Sequence, residues 1–278
     1  MTHDELREAI DRLFGSKEAD SNEARAAVGL LLDALERGAL RAAEPTAGGW
    51  VVNAWVKRGL LLAFRCGVNE SLAVPPFHFR DRDILPTQDP AAGGRNVRVV
   101  PGGSTVRRGA FLADGVVVMP PAFVNVGAHV GAGTMIDSHA LVGSCAQIGA
   151  RVHLSAAVQV GGVLEPPGAM PVIVEDDVFV GGGCGLYEGT RVGRGAVLAP
   201  GVVLTRAVDL YDVAQERTIV ADVNGFLVVP ERAVVVPGSR PAGGDWARAR
   251  GLSLYAPVIV KYRDEQTDAA AALVEGLR

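Results

Sequence analysis

Residues 111–142 read FLADGVVVMPPAFVNVGAHVGAGTMIDSHALV, and an aliphatic residue returns at every sixth position: Leu112, Val118, Val124, Val130, Ile136 and Val142. A helix repeats every 3.6 residues and a strand every two, so neither produces a period of six. A solenoid does, with each hexad forming one flat side and three hexads closing one triangular coil. Outward from this stretch the register runs back through Val106 and Val100, and forward through Ile148, Leu154 and Val160. After a break it resumes at Val174, Val180, Leu186, Val192, Leu198 and Leu204. Small residues two positions before the aliphatic, such as Ala110, Ala122, Ala128 and Ala140, share the narrow interior. The expected architecture is therefore mainly β: a parallel β-helix of hexapeptide repeats over 96–237. A helical domain with linker precedes it (1–95) and a small strand and helix extension follows (238–278).

Composition agrees with this reading. The 278 residues include 35 glycines and only 5% aromatics, as tight repeated corners around a core of small aliphatics require. A net charge of −4 argues against a general nucleic-acid binder. Cys66, Cys145 and Cys184 form no metal-type pair, so a reducing, cytoplasmic setting is expected. The start, MTHDELREAI, has no apolar signal core, and no apolar run is long enough for a membrane span.

Before the hexads, Leu6, Ile10, Leu13 and Phe14 make the stripe of a first helix. Asp20 and Glu23 suggest a capping box for a second helix, carrying Val28, Leu31, Leu32 and Leu35 and stopping at Gly38. Asn53 is placed to cap a third, AWVKRGLLLAFR. Residues 68–95, with Pro75-Pro76 and Gly93-Gly94, read as a linker or covering loop. Within the hexads, 161–171 (GGVLEPPGAMP) shifts the register by two and 211–226 is polar. Both become external loops, either plain surface decoration or a cover over a binding face. Leu254 to Lys261 reads as a strand and 265–277 as a terminal helix.

Asp137 stands where neighbouring hexads carry Gly131 and Gly143. A corner aspartate either bonds nearby amides structurally or presents a carboxylate to a cleft. Ser155, eighteen residues on, is one coil later and stacks above it. His129 and His153 differ by one coil plus one side, so one column holds them on different faces; no metal is expected. Cys145 reads as a small core residue. Gly182-Gly183 lacks the Lys-Ser/Thr and helix of a phosphate loop. A smooth prism has no pocket of its own and suits closed cyclic assembly, with a trimer as the natural outcome of three sides.

The segments RVVPGGSTVRRGAF, MPPAFVNVGAHV, GTMIDSHALVGSCAQIG, VHLS and GGVLEP, flanked by NAWVKRGLLLAFR and SLYAPVIVK, closely resemble the tetrahydrodipicolinate N-succinyltransferase family along essentially the whole chain. The resemblance implies a left-handed β-helix and a homotrimer with intersubunit sites. It also implies transfer of succinyl from succinyl-CoA to the amino group of ring-opened tetrahydrodipicolinate in diaminopimelate and lysine biosynthesis. It puts substrate binding on Arg98 and Asp137 and coenzyme contacts on Gly201 and Lys261; Ser155, by its stacking above Asp137, is placed to bond the same ligand. Two departures stand out: Ser138-His139 where the family has Thr-Trp, and Gly183-Cys184-Gly185 where it has Arg-Ser-Glu. They leave open an acetyl-CoA-dependent N-acyltransferase of a related amino acid, or a non-catalytic repeat scaffold. In the succinyl reading, Asp137 frees the amine's lone pair, Arg98 holds a substrate carboxylate, and a corner amide receives the oxyanion.

Overall fold

The computed structural model describes residues 1–16, 21–92 and 94–264. At its centre, each hexad contributes a two-residue strand, and strands one coil apart pair in parallel: Ile136 with Val118 below and Leu154 above, Val142 with Val124 and Val160. Three faces result. Face one contains 117–118, 135–136, 153–154, 179–180 and 197–198; face two runs from 105–106 to 203–204; face three runs from 111–112 to 227–229. The prism is a left-handed parallel β-helix of hexapeptide repeats.

The second residue of each strand points inward. Val118, Ile136, Leu154 and Val180 are all fully buried, and so are Val124, Val142 and Val160 on face two. Burying each such side chain stabilises the column by roughly 1.5–3 kcal/mol. The interior is so narrow that Ala110, Ala122, Ala128, Thr134, Ala140 and Ala146 supply the position two before the aliphatic. Val100 does not hold the register expected of it. Val99 is the ladder partner of Val118, because one extra residue in Pro101–Ser104 displaces the first hexad.

Corners impose their own demand. A β-carbon on Gly143 would lie 2.1 Å from the Gly162 nitrogen and 2.5 Å from the Gly161 carbonyl carbon, backbone that cannot yield. We expect Gly143→Ala to cost about 2–4 kcal/mol, read as a lower midpoint in calorimetric unfolding; a loss under about 0.5 kcal/mol would refute this account of the corner.

The insertion at 161–171 does not disturb the ladder. Gln147 pairs with Ile173, 26 residues on, where His129 and Gln147 are 18 apart. The extra residues bulge outward and are anchored. Val163 N–H donates to Ser144, and Gly189 N–H donates to Met170. The expected break at 211–226 contains a short antiparallel pair, Leu210–Asp212 with Arg217–Ile219, before face three resumes at Leu227–Val229. Ala233–Pro241 then leaves the top of face one without interruption and pairs with Ser253–Tyr262, extending that sheet to 10 strands. The helix expected over 265–277 lies outside the described residues.

The N-terminal part packs three helices: α1 (His3–Phe14), α2 (Asn22–Glu36) and α3 (Ala54–Cys66). Thr2 and Glu5 cap α1 reciprocally. Asp20 is outside the described residues, and the cap of α2 is Ser21, whose hydroxyl accepts from Ala24 N–H. Asn53 precedes α3 but makes no side-chain cap; its amide donates instead to the Arg41 carbonyl and the Glu44 carboxylate. Those bonds secure a hairpin, β1 (Ala43–Thr46) with β2 (Gly49–Val52), in a stretch the sequence offers only as a break. Leu6, Ile10, Leu31, Leu32 and Leu60 form the helical core, which reaches the prism at Val126 and Cys145.

The expected linker over 68–95 contains a second hairpin, β3 (Asn69–Val74) with β4 (Phe77–Arg82). No helix of the described residues is long and apolar enough to cross a membrane.

Candidate functional site

The hexad repeat stacks corresponding residues of successive coils, and on the edge between faces one and two it stacks polar ones. Asp137 follows inward Ile136, Ser155 follows Leu154, and Gly181 follows Val180. Two residues further along each coil lie His139, Ala157, Gly183 and Gly201, all with positive φ (62°, 60°, 67° and 79°). Amides tie this second column together: His139 N–H donates to Pro121, Ala157 to Ser138, Gly183 to Ala156 and Gly201 to Gly182. Left-handed backbone suits glycine best, so His139 and Ala157 hold their conformation through these bonds.

Asp137 is half-buried, and its Oδ1 accepts the Ser138 N–H at 2.6 Å. That bond orients the carboxylate along the edge and leaves Oδ2 without a partner among the described residues. One coil up, Ser155 is also half-buried. Between the two columns the backbone N–H groups of Ala156 and Gly182 have no protein acceptor among the described residues. A column of unpaired amide donors thus borders the carboxylate.

Arg98 occupies the first coil of face one, where it pairs with Val117, itself the partner of Met135. It lies two ladder spacings below Met135, roughly 10 Å along the axis. Its guanidinium is exposed and makes no hydrogen bond or ion pair among the described residues. It borders an open groove of about 450 Å³ with Asn96, Val117, Met135 and Arg151. Asp137 does not line that groove but sits two residues beyond Met135, at its edge. Gly201 lies on the same edge as Asp137, several coils higher. Lys261 is on the C-terminal strand opposite Val234 at the top of face one, with its ammonium 2.7 Å from Asp264. The structure therefore brings Arg98, Asp137, Ser155, Gly201 and Lys261 to one side of the column.

Other residues fall elsewhere. Gly185 faces outward from face two, and the Tyr187 ring lies on it: a β-carbon there would be 2.6 Å from the ring. Glu188 is on the edge between faces two and three, 3.3 Å from Arg206, and so does not share Asp137's edge within one chain. His129 projects from face three and stacks on Phe111 at 4.7 Å, whereas His153 projects from face one and stacks on Phe179 at 5.0 Å. Cys145 is fully buried, and burial pushes its thiol up to about 12, which fits a core residue and not a nucleophile.

Sequence reasoning missed three features. Arg151 joins Arg98 at the groove while making a two-pronged bond to Asp177 at 2.6 and 2.9 Å. Lys57 of α3 is fully buried and donates to the Ala169 carbonyl of the 161–171 bulge. Burial holds its pKa below the usual lysine range. A second hollow, about 430 Å³, lies between the β1–β2 hairpin and face three and is lined by Arg41, Trp50, His129, Glu175 and Arg194. A lysine on an otherwise apolar helix stripe, at Lys57, was the one legible signal among these.

Comparison with known proteins bears on this geometry. A family model described as Tetrahydrodipicolinate N-succinyltransferase N-terminal matches residues 5–66, and one described as Hexapeptide repeat of succinyl-transferase matches residues 171–206. The chain is similar to the 2,3,4,5-tetrahydropyridine-2,6-dicarboxylate N-succinyltransferase of Idiomarina loihiensis, 42% identical over 93% of this chain and 91% of that one. It is also similar to those of Ralstonia nicotianae (44% identical, 96% and 94% covered) and Parvibaculum lavamentivorans (40% identical, 100% of both).

Proposed function

The chain belongs to the tetrahydrodipicolinate N-succinyltransferase family, and from that membership we propose how its polar edge carries the reaction. The enzyme transfers succinyl from succinyl-CoA to the amino group of tetrahydrodipicolinate in its ring-opened form, a step of diaminopimelate and lysine biosynthesis. We assign the chemistry to the edge of Asp137. The observation that carries this is a half-buried carboxylate oriented by Ser138 N–H beside unpaired amides at Ala156 and Gly182.

The acceptor amine arrives as an ammonium, which has no lone pair with which to attack. The free Oδ2 of Asp137 takes a proton, and the amine attacks the thioester carbonyl carbon. The carbonyl oxygen becomes an oxyanion, and the Ala156 N–H, one coil above Ser138, donates to it. The carbonyl re-forms as the C–S bond breaks, and the second proton lost by the attacking nitrogen passes to the departing sulfur, so that coenzyme A leaves as the thiol and the amide remains. No acyl-enzyme forms, since no side chain on this edge pairs a nucleophile with a base. Arg98 pairs with one acceptor carboxylate at the far end of the groove. Ser155 bonds the same substrate. The donor extends up the edge past Gly201, whose missing side chain leaves it open, toward Lys261, a cation suited to a coenzyme phosphate.

We further propose that the active unit is a cytoplasmic homotrimer, with the neighbour's column closing each edge into a cleft.

Thiol release from succinyl-CoA and from acetyl-CoA, each with L-2-aminopimelate as acceptor, tests the reading. Release should require the acceptor and favour succinyl-CoA at least tenfold in kcat/KM. A preference for acetyl-CoA overturns the donor assignment, and silence with both donors from an assembled trimer overturns the acceptor.

A further inference from the structure

The second hollow, about 430 Å³ between the β1–β2 hairpin and face three, carries a charge pattern that the succinyl-transfer edge does not use. Three arginines and three acids line it, and four of these six neutralise one another. Glu175 receives the Arg191 guanidinium at 2.7 Å, the Trp50 indole N–H at 3.1 Å and the Arg194 backbone N–H at 3.0 Å. Asp176 accepts the Ala150 N–H at 2.9 Å and faces the Arg194 guanidinium at 3.7 Å. His129 adds no charge, since burial pushes its pKa down to about 3 and keeps the imidazole neutral.

Arg41 and Glu231 are left over. Arg41 is half-buried; its Nε donates to the Gln147 amide oxygen at 2.9 Å, and its guanidinium lies 5.5 Å from the centre of the Trp50 ring. A guanidinium has five N–H donors, and the four on its terminal nitrogens have no acceptor among the described residues. A cation withdrawn from water without a paired acid is costly. Burial lowers the Arg41 pKa accordingly, and Glu44 and Asp176 offset that only in part. The Glu231 carboxylate is exposed and makes no hydrogen bond or ion pair among the described residues.

The ladder spaces these two charges. Gln147, Ile173, Arg191 and Val228 are successive partners up face three. Arg41 is anchored at the first of these rungs, and Glu231 follows three residues after the last. The anchors are thus three spacings apart, roughly 14 Å. Both side chains line the hollow, yet they form no ion pair with each other. Between them lie the self-neutralised Arg191–Glu175 pair and Trp50, an aromatic wall for a methylene chain.

We infer that this hollow binds a small linear amino acid whose ammonium stands several carbons from its carboxylate. The carboxylate takes the unused fork of Arg41, the ammonium goes to Glu231, and the chain lies along Trp50. The hollow belongs to face three and the Arg98 groove to face one, so the inference is independent of the transfer reaction.

The test is isothermal titration calorimetry of the full-length protein with two matched pairs: 6-aminohexanoate against hexanoate, and L-lysine against L-norleucine. The probe with the distal ammonium should bind at least about tenfold more tightly in one pair or both. Arg41→Gln should weaken that binding at least about tenfold and Glu231→Gln about threefold or more, with kcat in the absence of probe unchanged. Glu231 is exposed, so its variant keeps the fold and decides the matter alone if Arg41→Gln does not fold. Equal affinity within both pairs overturns the two-charge ligand. Binding unchanged by Glu231→Gln puts the probe elsewhere on the molecule and overturns the site, as does the absence of binding at millimolar concentrations of either amine probe.

Discussion

Asp137→Asn is expected to lower kcat by at least about 100-fold, the usual contribution of a positioned general base, while leaving KM within a few-fold and the assembly intact. The amide keeps the shape of the side chain, and its oxygen still accepts the Ser138 N–H that orients Asp137 at 2.6 Å. What it removes is the proton acceptor. A structural corner aspartate would behave the other way: the amide would reduce stability and leave turnover near normal. Steady-state kinetics on a variant whose unfolding midpoint matches wild type therefore separates the two readings. Near-normal kcat there would mean that the amine is deprotonated by another group.

His129 should make the fold acid-labile well above the range where carboxylates protonate. Burial, with a smaller contribution from the Arg41 charge, pushes its pKa from 6.5 down to about 3. The Nδ1 atom is buried without a hydrogen-bond partner, and the ring stacks on Phe111 at 4.7 Å, both of which suit a neutral imidazole. The unfolded chain takes up the proton near pH 6.5 and the folded one does not. Above pH 6.5 both forms are neutral and nothing is lost. As pH falls toward 3, folding stability declines by about 1.4 kcal/mol per unit, reaching the order of 4 kcal/mol. His129→Phe retains the stack and removes the titration. Denaturant unfolding from pH 7 to pH 4 should show wild type losing stability faster than this variant, by several kcal/mol over the interval. Parallel curves would mean that His129 is accessible to protons in the folded state.

The sequence carries the prism in full because its physics is local and periodic. An inward residue every six positions and a coil every eighteen require only that each hexad bury the same position. That placed Ile136 beneath Leu154, and hence Asp137 beneath Ser155, without any knowledge of the remainder of the chain. The register failed only at Val100, where a single extra residue in Pro101–Ser104 breaks the period. The same arithmetic put His129 and His153 on separate faces.

What the period does not encode is contact between pieces far apart in the chain. Lys57 carries nothing in its own neighbourhood to say that its ammonium will meet Ala169, more than a hundred residues on. The Pro and Gly signals of 68–95 mark turns truly, yet only the finished pairing of Leu72 with Phe79 shows an apolar ribbon left uncovered. The unpaired amides at Ala156 and Gly182 follow from how the corners stack, since a backbone donor is used or spared according to the coil beneath it. Sequence alone determined the column and the edge on which Asp137 stands, because six-residue periodicity is a property of neighbours. The tertiary structure alone decided which donors, cations and apolar surfaces that edge and its flanks keep available, because each of these depends on burial by a distant segment.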